Sequence, residues 1–263
     1  MRDFAGEWDK HSWDLERHLP LEPDDQVDDK YFLDSSEEKW LDAWDRLLEA
    51  VARRLGPNER LPGFPIWADE FRSVADAERL IAGAAAAGRP MPAWKSDFLR
   101  KNAQFYERHA AVLDQFKLEL DAFPPSRRKF EWQAGAHRPL RDTIIQFRPS
   151  GIRCKQPSYA PALVAINQTS IVRGSRRLTP RETARLQGLP EDFEFRQSQP
   201  GWAAPVLQRD AASYKQMGNG VNVGVAFQVF TRYVQTHAEE IGVRADHLVA
   251  AVEQAPGLAG SGS

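Results

Sequence analysis

Cysteine is almost absent from these 263 residues: Cys154 stands alone. A single cysteine forbids an internal disulfide and removes the thiolate sets that hold structural zinc. The six histidines have no cysteine or histidine partner at ligand spacing, so no metal is expected. No run approaches the ~18 consecutive apolar residues of a membrane helix. Met1-Arg2-Asp3-Phe4 does not lead into the apolar segment of a secretory signal. There is no internal repeat. Gly-x-Gly occurs as Gly218-Asn219-Gly220 and in the Gly/Ser-rich tail, outside any strand–turn–helix nucleotide fingerprint. These absences predict a cytoplasmic protein with no membrane partner and no metal.

Net charge is also small, −2 overall, yet it is unevenly distributed. Residues 1–60 carry 17 acidic against 9 basic side chains. Residues 125–185 carry 13 basic against 3 acidic. A basic segment in a near-neutral chain is what contact with a phosphate backbone requires. The apolar content, 42%, suits a real core, and the length allows one large domain or two small ones.

Along the chain, Asp24-Asp25-Gln26-Val27-Asp28-Asp29 reads as an exposed loop. Ser35 or Ser36 can cap a helix to about Leu55, with Trp40, Trp44, Leu47, Leu48 and Val51 at core spacing. Ile66-Trp67 reads as a short strand or an extended entry to the next helix. Helices are predicted over Ala75 to Ala87 and from Pro92 to about Leu120. The stretch from Pro124 to Trp132 reads as a basic, aromatic loop. Ser150-Gly151 marks a turn between two strand-like runs within Ile144 to Arg153. Tyr159 to Ile166 reads as a buried strand with Thr169 to Val172 as its neighbour.

Two later blocks carry the strongest signal. In Arg177-Leu178-Thr179-Pro180-Arg181-Glu182-Thr183-Ala184-Arg185-Leu186-Gln187-Gly188-Leu189-Pro190, Thr179 is an N-cap and Pro180 the first helical residue. Glu182 completes a capping box, Gly188 ends the helix, and Arg181 and Arg185 share a face. In Tyr214-Lys215-Gln216-Met217-Gly218-Asn219-Gly220-Val221 the glycines read as a turn. A mostly apolar helix over Val221 to Val234 follows and must be buried.

Together, in this order, the blocks resemble the last two signature blocks of the DNA cytosine-5 methyltransferases. Residues 125–234 resemble that family strongly and residues 30–124 loosely, the Pro92-to-Asn102 stretch resembling a variant in some bacterial members. The departures are mild: Leu189 stands where the family usually has phenylalanine, and Gly220 where serine or alanine is commoner. The resemblance implies the α/β, Rossmann-like methyltransferase class, here as its C-terminal portion. A mixed α+β target-recognition region would precede a helix returning to the cofactor domain. Residues 1–35 would be a linker from a catalytic region not found here, 36–172 the recognition domain, 173–235 the motifs packing on the catalytic domain, and 236–263 a terminal helix and frayed tail.

The family's Pro-Cys-Gln nucleophile loop, Glu-Asn-Val, Gln-x-Arg-x-Arg and Phe-x-Gly-x-Gly are not in these residues. Cys154, between Arg153 and Lys155, is expected to be incidental or partly buried and not the nucleophile. The implied activity is transfer of a methyl group from S-adenosylmethionine to C5 of cytosine in double-stranded DNA, within restriction-modification chemistry. S-adenosylmethionine would bind only with a complete catalytic domain, contributed by a complementing half. Candidate DNA contacts are Arg127, Arg128, Lys129, Arg148, Arg153 and Lys155. Candidate cofactor-side residues are Gln216, Asn219 and Gly220. Arg177, Thr179, Arg181, Glu182 and Arg185 would be scaffolding between the lobes. The alternative is a non-catalytic DNA-binding or regulatory protein derived from a methyltransferase.

Overall fold

A computed structural model describes residues 21–56, 59–158, 160–164, 170–198, 200–201, 203–237 and 240. The chain divides into two compact units. One spans Asp28–Pro157 with Ser170–Arg177. The other has its described residues within 21–27, 158–164 and 178–240.

The first unit is built on helix α1, Ser35–Ala52. Its cap is Asp34, not Ser35 or Ser36 as expected. The Asp34 carboxylate accepts from the N–H groups of Ser36 at 2.8 Å and Glu37 at 2.9 Å, satisfying two orphan donors of the first turn. Glu37 returns the bond to Asp34 N, closing a capping box. The helix buries Leu41, Trp44, Leu47, Leu48 and Val51. Trp44 stacks on Phe130 at 5.1 Å between centroids, and its indole N–H donates to Arg127 O at 2.8 Å. The tryptophan's polar tip is thus satisfied inside the core.

Six strands form one sheet: β1 (Ile66–Trp67), β2 (Lys129–Gln133), β3 (Ile144–Arg148), β4 (Gly151–Lys155), β5 (Ile171–Val172) and β6 (Arg176–Arg177). Their spatial order is β1-β2-β4-β3-β5-β6, with β2–β4 parallel and every other pair antiparallel. The β3–β4 hairpin follows the turn expected at Ser150-Gly151. Gly151 adopts φ +138°, and a Cβ there would sit 2.8 Å from Lys129 O. Only glycine lets the parallel neighbour approach this closely.

Two expectations fail here. The stretch ending at Trp132 is not all loop: a short 3-10 turn over Pro125–Arg127 leads into β2. The prolines and clustered cations concealed the alternation in which Phe130 and Trp132 point inward. The strand expected over Tyr159 to Ile166 is not formed by residues 160–164, where Ala162 and Val164 are exposed. Tyr159 and residues 165–169 lie outside the described residues. Ile171 instead pairs with Ile145 and Arg177.

Helices α2 (Val74–Ala86) and α3 (Ala93–Asp121) complete this unit. They pack through Ala77, Leu99 and Ala103, with Val74, Ile81 and Met91 around them. Farther along, Phe105, Val112, Leu113, Phe116 and Leu120 carry α3 into the main core.

In the second unit, α4 (Pro180–Leu186) matches its sequence signature in every part, and Gly188 takes φ +73° beyond its end. A two-stranded ribbon, β7 (Arg196–Gln197) with β8 (Val206–Leu207), precedes α5 (Asp210–Asn219) and α6 (Val223–Thr236). The glycine turn expected across the second block is a helix instead. Gly218 lies inside α5, and Gly220 is extended at φ −75°. Asn222 caps α6, accepting from Val225 N at 2.8 Å. The burial expected of α6 is not observed either. Val225, Val229, Phe230 and Tyr233 are exposed, as is Val221 before the helix, while Val234 is buried. The terminal helix expected after His237 and the tail lie outside the described residues, Glu240 excepted.

Candidate functional site

Strand register sorts the predicted DNA contacts. In β2, β3 and β4 alternate residues face the helices: Phe130 and Trp132, Ile145 and Phe147, Ile152 and Cys154. The intervening positions form the other face. There Glu131 lies opposite Arg153, which lies opposite Gln146, and Gln133 lies opposite Lys155. Lys129 and Arg148 flank this row near the Gly151 end. Four of the six predicted cations, Lys129, Arg148, Arg153 and Lys155, therefore share one face. Glu131 pairs with Arg153 at 2.7 Å and lies 3.8 Å from Arg148. Among the described residues of these three strands, one carboxylate stands among four cations on this face.

The other two predicted contacts are placed differently. Arg127 lies over the rings of Trp40 and Phe147, at 5.2 and 4.8 Å from their centroids, and Phe147 points to the core side. Its Nη1 donates to Arg148 O at 3.0 Å. Its buried Nε has no partner among the described residues, and burial pulls the guanidinium pKa down from its usual range. Arg128 donates to Phe123 O at 2.7 Å and pairs with Asp69 at 3.0 Å. Both arginines hold the turn that leads into β2.

Cys154 is fully buried on the core side, opposite Trp132 and Ile145. Burial pushes its thiol up to about 12, well above the range in which a thiolate forms near neutral pH. The flanking Arg153 and Lys155 point to the other face and do not offset this.

The two sequence blocks meet in the second unit. Thr179 Oγ1 accepts from Glu182 N at 3.1 Å, and Glu182 Oε2 accepts from Thr179 N at 2.8 Å. Glu182 is fully buried and its other oxygen accepts from Glu22 N at 2.8 Å. The Thr179 hydroxyl donates to the Glu22 carboxylate. From α5, the Tyr214 hydroxyl donates to Leu178 O at 2.8 Å, entirely buried. Gln187, at the end of α4, donates to Met217 O and Gly220 O, and its own carbonyl accepts from Val223 N at 2.9 Å. Asn222 Nδ2 donates to Leu186 O at 2.7 Å. The end of the first block thus clasps the α5–α6 joint.

The block's arginines are engaged locally. Arg181 donates to Phe193 O at 2.7 Å, and Arg185 makes a two-point pair with Glu191 at 2.8 and 2.9 Å. That pair raises the Arg185 pKa and lowers that of Glu191. Arg177, in the first unit, pairs with Glu37. Gln216, Asn219 and Gly220 lie together, exposed, at the end of α5; Gln208 donates to Gln216 Oε1 at 2.7 Å. Sequence reasoning did not single out Glu22, Glu131, Gln187, Asn222 or the hydroxyl of Tyr214. Only the i, i+2 alternation around Glu131 offered a local signal; the rest depend on partners far along the chain. Among the described residues, no group of three or more metal-ligating side chains forms, and no helix is long and apolar enough to cross a membrane.

The Type II methyltransferase M.AluI of Cellulosimicrobium cellulans is 44% identical over 241 residues, covering 77% of this chain and 44% of that protein. M.BanI of Aneurinibacillus aneurinilyticus is 39% identical over 66 residues, 25% of this chain and 13% of its own. M.HgiCI of Herpetosiphon aurantiacus is 44% identical over 50 residues, 19% and 9% respectively. The chain thus spans under half the length of these relatives. No solved structure matches it. The profile of the C-5 cytosine-specific DNA methylases matches residues 90–235, more than half of the chain and inclusive of both blocks. This mixed α/β chain belongs to the C-5 cytosine-specific DNA methylase family.

Proposed function

We propose that this chain is the DNA-recognising part of a DNA cytosine-5 methyltransferase, a Rossmann-like enzyme of bacterial cytoplasm. The observation that carries the reading is the clasp: two blocks 36 residues apart, at Leu178 and Tyr214, joined by a buried hydrogen bond. The unit of residues 28–157 and 170–177 would read the duplex. The unit carrying the blocks would complete the cofactor domain. Lys129, Arg148, Arg153 and Lys155 meet the phosphates, or guanine edges where an arginine fork reaches them.

The buried Cys154 cannot attack a base, so the nucleophile belongs to a complementing catalytic part, in the same or another polypeptide. The exposed stripe Val225–Val229–Tyr233, spaced four apart on α6, is the face that this part covers. S-adenosylmethionine supplies the electrophilic methyl group when bound. Gln216, Asn219 and Gly220, exposed together, fit as one polar wall of its site and require other residues around them. Arg181 and Arg185 hold the loop over Glu191 to Phe193 against α4, which keeps the clasp rigid.

A methyl-transfer assay on mixed-sequence DNA with labelled S-adenosylmethionine tests this, run with the chain alone and with the catalytic part co-expressed. Transfer only on co-expression is expected. Transfer by this chain alone, abolished by Cys154→Ala, overturns the reading. DNA binding with no transfer in either arm establishes instead a non-catalytic DNA-binding protein.

A further inference from the structure

The polar face of the sheet continues past its cations into aromatic rings. At its edge Trp67 lies opposite Lys129 in register, so both side chains leave the same face. The Trp67 ring meets Phe98 of α3 at 5.5 Å between centroids, and Phe98 meets Trp94 at 6.3 Å. Lys129 Nζ stands 5.5 Å from the Trp67 ring centre and Lys101 Nζ 5.8 Å from that of Phe98. Trp94 ends the strip 60% exposed.

The strip is held by a fully buried amide. Asn102 Oδ1 accepts from Trp67 N at 2.7 Å, while its Nδ2 donates to Pro65 O at 3.1 Å and Phe98 O at 2.9 Å. One side chain therefore fixes the edge strand against α3 and sets Trp67 beside Phe98. The nearby acids are paired: Asp97 with Lys101, Asp69 with Arg128 and Glu70 with Arg72. Lys95 and Lys129 make no salt bridge among the described residues, which leaves the strip positive.

The rings meet at 54° and 70°, not in parallel, and such rings beside Lys95 and Lys129 suit a polymer with planar groups and phosphates. A base inside a duplex offers no open ring face, whereas an unpaired base does. We propose that Trp94, Phe98 and Trp67 form a stacking strip for an unpaired stretch of DNA next to the duplex, with Lys95 and Lys129 drawing its phosphates. The position of the duplex rests on the function proposed above. Capture of the single strand rests on the rings and lysines alone.

The test is fluorescence titration of the full chain with an oligothymidylate, a blunt duplex, and that duplex carrying an oligothymidylate overhang. The overhang is expected to tighten binding about 5- to 150-fold, the equivalent of one stacked base. Trp94→Ala should remove that gain and the accompanying tryptophan quench while leaving blunt-duplex affinity unchanged. Trp94→Phe should keep part of both. No gain from the overhang, or a gain that survives Trp94→Ala, overturns the proposal. Trp94-dependent binding of oligothymidylate without duplex binding sustains it and refutes the duplex-binding face instead. Absence of binding to any of the three DNAs refutes both.

Discussion

Replacing Arg127 with alanine separates two roles that a basic segment can play. The guanidinium lies over two rings and donates to Arg148 O. Two half-buried cation–π contacts contribute about 2 kcal/mol together. A hydrogen bond from a charged donor adds about 2 kcal/mol. The partnerless buried Nε and the burial of the cation offset about 1–2 kcal/mol of this. Arg127→Ala should therefore destabilise the unit by about 2–3 kcal/mol, measured by urea unfolding. Arg127→Lys should recover little, because an ammonium lacks the planar fork that meets both rings and the Arg148 carbonyl. The salt dependence of DNA binding should keep its slope, since no phosphate contact is lost. A stability change below about 0.5 kcal/mol, with a slope reduced by about 0.9, would show that Arg127 reaches a phosphate and refute the reasoning.

Arg153→Ala and Lys155→Ala should each flatten the plot of log affinity against log salt by about 0.9; an unchanged slope removes that residue from the interface. Tyr214→Phe strands the buried Leu178 carbonyl and should cost about 1–2 kcal/mol in thermal unfolding, with no loss if the carbonyl is rehydrated. Glu182→Ala orphans the N–H groups of Thr179 and Glu22 and should cost about 2–4 kcal/mol; an unaltered melting temperature would mean the capping box contributes nothing. The native Cys154 thiol is held neutral up to about 12, against an ordinary value of 9.0. Its contribution to stability is fully present below pH 9 and lost as pH rises through about 12, because the unfolded chain ionises first. Thiol-reagent labelling at pH 8 should accordingly be slow in the folded protein and fast in urea.

Local chemistry made α4 legible, because Thr179, Pro180, Glu182 and Gly188 sit within ten residues of one another. The β3–β4 hairpin was legible from its turn for the same reason. β2 was obscured because its alternation begins within a run of prolines and arginines that mimics a loop. The second block was misread because Gly218 and Gly220 have helical and extended backbone angles that any residue can adopt. The candidate DNA face was visible as charge but not as geometry: register alone separates Arg153 from Arg127. The clasp around Gln187 and Asn222 joins residues about thirty positions apart, and no local pattern announces such a pair.

The alternation in β2, β3 and β4 has a consequence for how such a chain can diversify. Odd and even positions on each strand answer to different demands, one set to the packing beneath Trp44 and the other to whatever lies outside. Exchanging Arg153, Gln146 or Lys155 changes what the surface can meet without altering a single core volume. Glu131, by restraining two arginines, acts as a set-point for how much charge that surface displays. A lineage can therefore explore new binding preferences one side chain at a time while its folding stays intact.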